Sequence, residues 1–124
     1  MNIQETNGGI YRQIADFGIE QVLSGAWANG ERIPSVRQLA AEVGVNPNTV
    51  MNAYDHLKSL DIIETQRGKG FFVADAGHGA AIALKRGNFI QLEVPKLRRT
   101  LDLLGIDAEE LIDLLFPNPN PTQS

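Results

Sequence analysis

Ser35-Val-Arg-Gln-Leu-Ala-Ala-Glu-Val-Gly44, followed at once by Val45-Asn-Pro-Asn-Thr-Val-Met-Asn-Ala-Tyr-Asp-His-Leu-Lys-Ser-Leu60, decides the fold. Ser35 and Gln38 have the S-x-x-Q spacing of a capping box, and Val36, Leu39, Ala40 and Val43 supply one apolar face. Gly44 stops this short helix. Asn46-Pro47 starts another, because Asn is a favoured N-cap and proline loses no hydrogen bond at the first helical position. Val50, Ala53, Tyr54, Leu57 and Leu60 then recur at spacings of three and four. Two helices, the first short, joined by a tight turn form a helix-turn-helix.

Upstream, Ile10, Ile14, Phe17 and Val22 predict a first helix, with Gly25 as its stop. Gly18 lies inside that pattern at a cost of about 1 kcal/mol against Ala, which implies a neighbour that needs the room. Residues 26–34 read as a loop. Downstream, Ile62-Ile63-Glu64-Thr65 and Phe71-Phe72-Val73 are β-prone and flank the basic, glycine-containing turn Gln66-Arg67-Gly68-Lys69-Gly70, a hairpin or wing.

From Ala80 the pattern is helical again, through Ile82, Phe89, Leu92, Leu97, Leu101 and Leu104, with Pro95 expected to kink or break it. Asp107 and Glu110 start a last short helix carrying Leu111 to Phe116. The reading is α+β, mostly helical: a frayed N-terminus (1–8), a winged helix-turn-helix (9–75), a glycine-marked linker (76–79) containing His78, a helical segment (80–116) and a disordered tail (117–124).

Composition bounds the function. The 124 residues have room for one small domain with an appendage, not a two-lobed enzyme. With no cysteine, there are no disulfides, thiolate metal sites or cysteine nucleophiles. The two histidines, His56 and His78, stand without a paired nucleophile or ligand set, so no catalysis, metal or cofactor is implied. No apolar run is long enough to span a membrane, and Met1 to Gly8 lacks the pattern of a signal peptide, which predicts a cytoplasmic protein.

A net charge of −4 argues at first sight against a nucleic-acid partner. The charge is unevenly placed, however. Residues 31–74 balance five bases against five acids, and residues 85–99 hold five bases against Glu93 alone. The last stretch, from Asp102 onward, holds five acids and no base.

The second helix of the pair carries Asn46, Asn48, Thr49, Asn52 and His56 opposite its apolar face. That stripe is either a solvated face with an Asn cap or a recognition helix. Asn pairs bidentately with adenine in the major groove, and Thr contacts a thymine methyl or a phosphate. Arg67 and Lys69 suit a phosphate or the minor groove, or are plain solubilising charges. Arg37, near a helix N-terminus, is placed to grip a phosphate or to pair with Glu42 or Glu31.

Tyr11-Arg-Gln-Ile14, Gly30-Glu-Arg-Ile-Pro-Ser-Val-Arg-Gln-Leu-Ala40, Val45-Asn-Pro-Asn-Thr-Val50, Ala53-Tyr-Asp-His-Leu57 and Gly68-Lys-Gly-Phe-Phe-Val73 together resemble the GntR-family winged helix-turn-helix, nearly continuously over residues 11–74. The short helical C-terminal part resembles the YtrA subfamily. The resemblance implies a bacterial transcription regulator, a repressor, that binds a palindromic double-stranded DNA operator as a homodimer. It leaves open a small-molecule effector of unknown identity. By position the implied DNA contacts are Ser35, Arg37, Asn46, Pro47, Asn48, Thr49, Arg67, Gly68, Lys69 and Gly70, to which the polar stripe adds Asn52. Three positions depart from the pattern: Pro47 and Met51 stand where basic residues are frequent, and Asp61 takes a usual glycine site, which would allow that turn another conformation. Gly18 also replaces a commonly apolar core position. Phe89, Leu92, Leu97, Leu101, Leu104, Leu111 and Leu115 offer more apolar surface than two helices can hide, and a second copy is the simplest partner. The opposing reading is an interaction module that has lost DNA binding.

Overall fold

A computed structural model describes residues 9–119. The expected frayed start at 1–8, and the tail beyond residue 119, lie outside the described residues. Residues 117–119 are irregular and exposed. The elements run α1 (Gly9–Ser24), α2 (Val36–Val43), α3 (Pro47–Ser59), β1 (Ile63–Gln66), β2 (Gly70–Val73), α4 (Gly77–Asn88), a π-helical turn (Phe89–Glu93), α5 (Val94–Leu104) and α6 (Ala108–Leu115). Two compact units divide between Lys85 and Arg86.

In the first unit, α1, α2 and α3 bury Ile14, Ile19, Val22, Leu39, Val50, Ala53, Tyr54 and Leu57, closed by Ile62, Ile63 and Val73 from the hairpin. Gly18 is buried where α1 meets α3: a Cβ there would lie 2.9 Å from Leu57 Cδ1 and 3.2 Å from Trp27 Cζ3. Trp27, in the segment read as loop, is a core residue, edge-on to Phe17 and Tyr54 at ring-centroid distances of 6.1 and 6.5 Å.

β1 and β2 pair antiparallel, Ile63 opposite Val73 and Gln66 opposite Gly70. The segment before α2 adds a one-residue third strand: Arg32 bridges Phe72, Ile33 N–H donates to Phe71 O, and Val73 N–H donates to Glu31 O, both at 2.9 Å. A single bridge has no alternation for a sequence reading to detect.

The turn at Asp61 keeps the conformation that glycine favours. Asp61 adopts φ 61°, its N–H donates to Lys58 O at 3.0 Å, and Ile62 N–H donates to Leu57 O at 3.1 Å. These bonds close α3 in a Schellman arrangement, with Ile62 driven into the core behind it. The three-helix packing thus overrides the departure at this position.

The expected linker at 76–79 is instead the start of α4. Gly77 is buried, and a Cβ there would collide with the Ile62 carbonyl oxygen and lie 2.7 Å from Val73 Cγ1. His78 is likewise no linker residue: its N–H donates to Asn29 Oδ1 at 2.9 Å, and its Nε2 lies 3.4 Å from Leu23 O. Ala81 is fully buried, with Ala80 and Leu84 packed against the core, so the winged domain runs past residue 75 into α4. Here the glycine serves close packing rather than flexibility.

In the second unit, Pro95 does not break the chain, because helical structure runs on through it. It falls in the first turn of α5, directly after the π-helical turn in which Val94 N–H donates to Phe89 O. The wider turn takes up the proline that a regular α-helix would reject. Asp107 caps α6, its side chain accepting from Glu110 N–H at 2.9 Å. No helix of the described residues is long and apolar enough to cross a membrane.

Candidate nucleic-acid interface

The capping box of α2 forms in both directions: Gln38 N–H donates to Ser35 Oγ at 3.1 Å, and Ser35 N–H donates to Gln38 Oε1 at 2.8 Å. Ser35 is thereby half-buried and committed to its helix, while Arg37 projects exposed from the first turn. Neither Glu42 nor Glu31 pairs with it. Among the described residues the ion pairs are Lys85–Asp16 and Lys96–Glu93 only.

α3 begins with Asn46 Oδ1 accepting from Asn48 N–H at 2.8 Å, and with Pro47 at the first helical position. Asn46, Pro47 and Asn48 are exposed, and Thr49 is half-buried. The outward stripe is Asn48, Met51, Asn52 and Asp55, at spacings i, i+3, i+4 and i+7. His56 does not belong to it. Its ring packs edge-on against Tyr11 of α1 with centroids 6.2 Å apart, so the expected polar face loses His56.

Tyr54 connects this helix to the other parts of the site. Its hydroxyl donates to Pro34 O at 2.6 Å, and its ring meets Phe71 of β2 with centroids 4.9 Å apart. Burial, and secondarily the charge of Glu42, push its phenol well above the ordinary tyrosine range. A protonated, buried tyrosine therefore fixes the entry to α2 and the wing relative to α3.

The wing turn is Arg67-Gly68-Lys69, all three exposed, with Lys69 N–H donating to Gln66 O at 2.9 Å. Gly68 and Gly70 take φ 77° and 118°, a region L side chains rarely adopt. Gly70 has a second reason to lack a side chain: a Cβ would lie 3.2 Å from Arg32 Nε. Arg32 is exposed, shares a sheet face with Phe72 and Gly70, and lays its guanidinium along the base of the wing. The motif reading passed over Arg32 because only the strand bridge brings it to the hairpin. Arg32, Arg67 and Lys69 thus form a cationic edge free of ion pairs among the described residues.

In the second unit, Phe89, Leu92, Leu97, Leu104, Ile112, Leu114, Leu115 and Phe116 are all exposed, whereas Leu101 and Leu111 are half-buried. Among the described residues no group of His, Asp and Glu has the arrangement of a metal site.

Comparison with known proteins gives the same picture. Residues 10–73 match the family described as bacterial regulatory proteins, gntR family. The chain is 41% identical over 105 residues to the uncharacterized HTH-type transcriptional regulator YhcF of Bacillus subtilis, covering 84% of each chain. It is 35% identical over 104 residues to the HTH-type transcriptional repressor YtrA of the same organism, covering 82% of this chain and 78% of that one. Among solved structures, a GntR-family regulator from Bacteroides thetaiotaomicron superimposes with a TM-score of 0.73 at 38% identity, covering 86% of this chain and 93% of the other. The AraR DNA-binding domain in complex with operator ORR3 matches 52% of this chain and 77% of its own, with a TM-score of 0.50 and 26% identity. The conclusion from fold, motifs and relatives is that the chain belongs to the gntR family of bacterial regulatory proteins, a transcriptional regulator with a winged helix-turn-helix DNA-binding domain.

Proposed function

We propose that two copies of this chain bind a palindromic operator in the bacterial cytoplasm and repress transcription there. The carrying observation is the outward stripe of α3 beside a cationic wing that spends none of its charge on internal ion pairs. In this reading α3 enters the major groove, where Asn48 and Asn52 hydrogen-bond base edges and Thr49 supports them. Asn46 and Pro47 bring the helix N-terminus to the backbone. Arg37 and Ser35 meet a phosphate at the start of α2. Arg67, Gly68, Lys69 and Gly70 approach the neighbouring strand, joined by Arg32.

The exposed Phe89, Leu92, Leu97, Leu104 and Leu115, with the half-buried Leu101 and Leu111, support pairing of the second unit with a second copy. A palindromic operator repeats its half-site about 34 Å along B-DNA, one turn, and each copy would present its α3 to one half-site. Repression accords with the similarity to the YtrA repressor. The acidity from Asp102 onward belongs to this second unit, while residues 31–74 are neutral. Such a chain relies on base contacts more than a basic protein does.

The test is a mobility-shift titration against DNA upstream of the gene that encodes the protein. Retention of one fragment at moderate salt, in excess competitor DNA, is expected. Failure to retain any fragment specifically would leave the interaction-module reading in its place.

A further inference from the structure

Met51 is the only large hydrophobic side chain left exposed between residues 35 and 73, at 40% of its full accessibility. The inner face of α3 does not need it: Val50, Ala53, Tyr54 and Leu57 already fill that face and are completely buried. Met51 instead stands one helical turn from Asn48 and Asp55 and next to Asn52, an apolar side chain inside an otherwise polar stripe. A single exposed methionine is far smaller than a protein-docking patch. On a helix lying in the major groove, the apolar feature within its reach is the 5-methyl group of a pyrimidine. The unbranched, polarizable thioether adapts readily to such a contact.

We infer that Met51 reads the pyrimidine 5-methyl group, which in unmodified DNA is that of thymine, and so supplies base preference beside Asn48 and Asn52. This rests on α3 being the recognition helix. It also accounts for an apolar residue at a position facing a polyanion, because the gain lies in the base edge rather than the backbone.

The test uses full-length protein and a duplex enriched by it from a random pool, prepared either with thymine or with deoxyuridine, which lacks only the methyl. The wild type should bind the deoxyuridine duplex about fourfold more weakly for each methyl contacted, the factor expected for one buried methyl. At the thymine whose methyl Met51 contacts, mapped by single deoxyuridine replacements, Met51→Ala should bind both forms equally. Met51→Arg should also lose the distinction and gain a steeper salt dependence. Changing the mapped thymine to cytosine should weaken wild-type binding, and 5-methylcytosine at that place should restore it, assigning the preference to the methyl rather than to thymine. Equal wild-type affinity for the two forms, or an undiminished preference in folded Met51→Ala, overturns the inference while leaving DNA binding intact. Failure of the wild type to enrich any duplex overturns the recognition-helix reading itself.

Discussion

The Tyr54 hydroxyl donates to the Pro34 carbonyl at 2.6 Å, tying the middle of α3 to the residue before the Ser35 cap. Tyr54→Phe leaves that carbonyl without its partner and should cost about 1–2 kcal/mol of stability near neutral pH. The pH dependence follows from the raised phenol. Its stabilising contribution is fully present below the ordinary value of 10.0 and is lost as pH rises, because the unfolded chain ionises first. Above that pH the difference between wild type and Tyr54→Phe should therefore close, by up to about 1.4 kcal/mol per pH unit. Urea midpoints from pH 8 to 11 measure it. A gap that stays constant would contradict the buried, protonated phenol.

Gly18 and Gly77 both serve close approach but face different neighbours. At Gly18 a new methyl meets the side chains of Leu57 and Trp27. The helix-propensity gain of about 1 kcal/mol offsets part of the overpacking cost of about 1–3 kcal/mol. At Gly77 it meets the Ile62 carbonyl oxygen, part of the backbone that closes the hairpin. Gly77→Ala should consequently lower the melting temperature more than Gly18→Ala. The opposite order would mean that α4 is not anchored against the wing.

Asp61 holds a left-handed conformation at φ 61°, where a Cβ is strained. Asp61→Gly should stabilise the domain by about 1 kcal/mol without altering the fold. Guanidinium denaturation checks this, and a loss of stability would indicate that the carboxylate contributes more than the strain it causes.

The exposed leucines of the second unit carry the proposed assembly. Replacing Leu104 and Leu115 together with Glu places two charges in the apolar surface, and sedimentation equilibrium should then find monomers for the variant and a dimer for the wild type. The helical circular-dichroism signal should be retained. A dimer undisturbed by both substitutions would place the interface elsewhere.

The helix-turn-helix and hairpin were legible because caps, glycine stops and apolar periodicity all act over a few residues. Ser35 with Gln38, Asn46 with Pro47, and the Arg67-Gly68-Lys69 turn each form as their spacing predicts. What escaped depends on contacts far apart in the chain. Trp27 and Arg32 lie in a segment with no periodicity, and each acquires its place only when the loop folds back on α1, α3 and β2. Gly77 and Gly79 look like a linker because glycine spacing does not distinguish freedom from tight packing. His56 shares the polar stripe in sequence but turns to Tyr11, a neighbour visible only once α1 packs on α3. The candidate DNA contacts come largely from motif resemblance, and geometry adds Arg32 and Met51 to them.

In the proposed complex α3 reads bases while the wing holds the backbone. Fluorescence anisotropy on an enriched duplex, titrated with salt, tests that division using wild type, Arg67→Ala and Asn48→Ala. Arg67→Ala should weaken binding to every sequence and reduce the slope of log affinity against log salt by about 0.9 per bound chain. Asn48→Ala should keep that slope and lose about 1–3 kcal/mol of discrimination at one base pair. If the two variants change slope and base preference alike, the division between helix and wing is wrong.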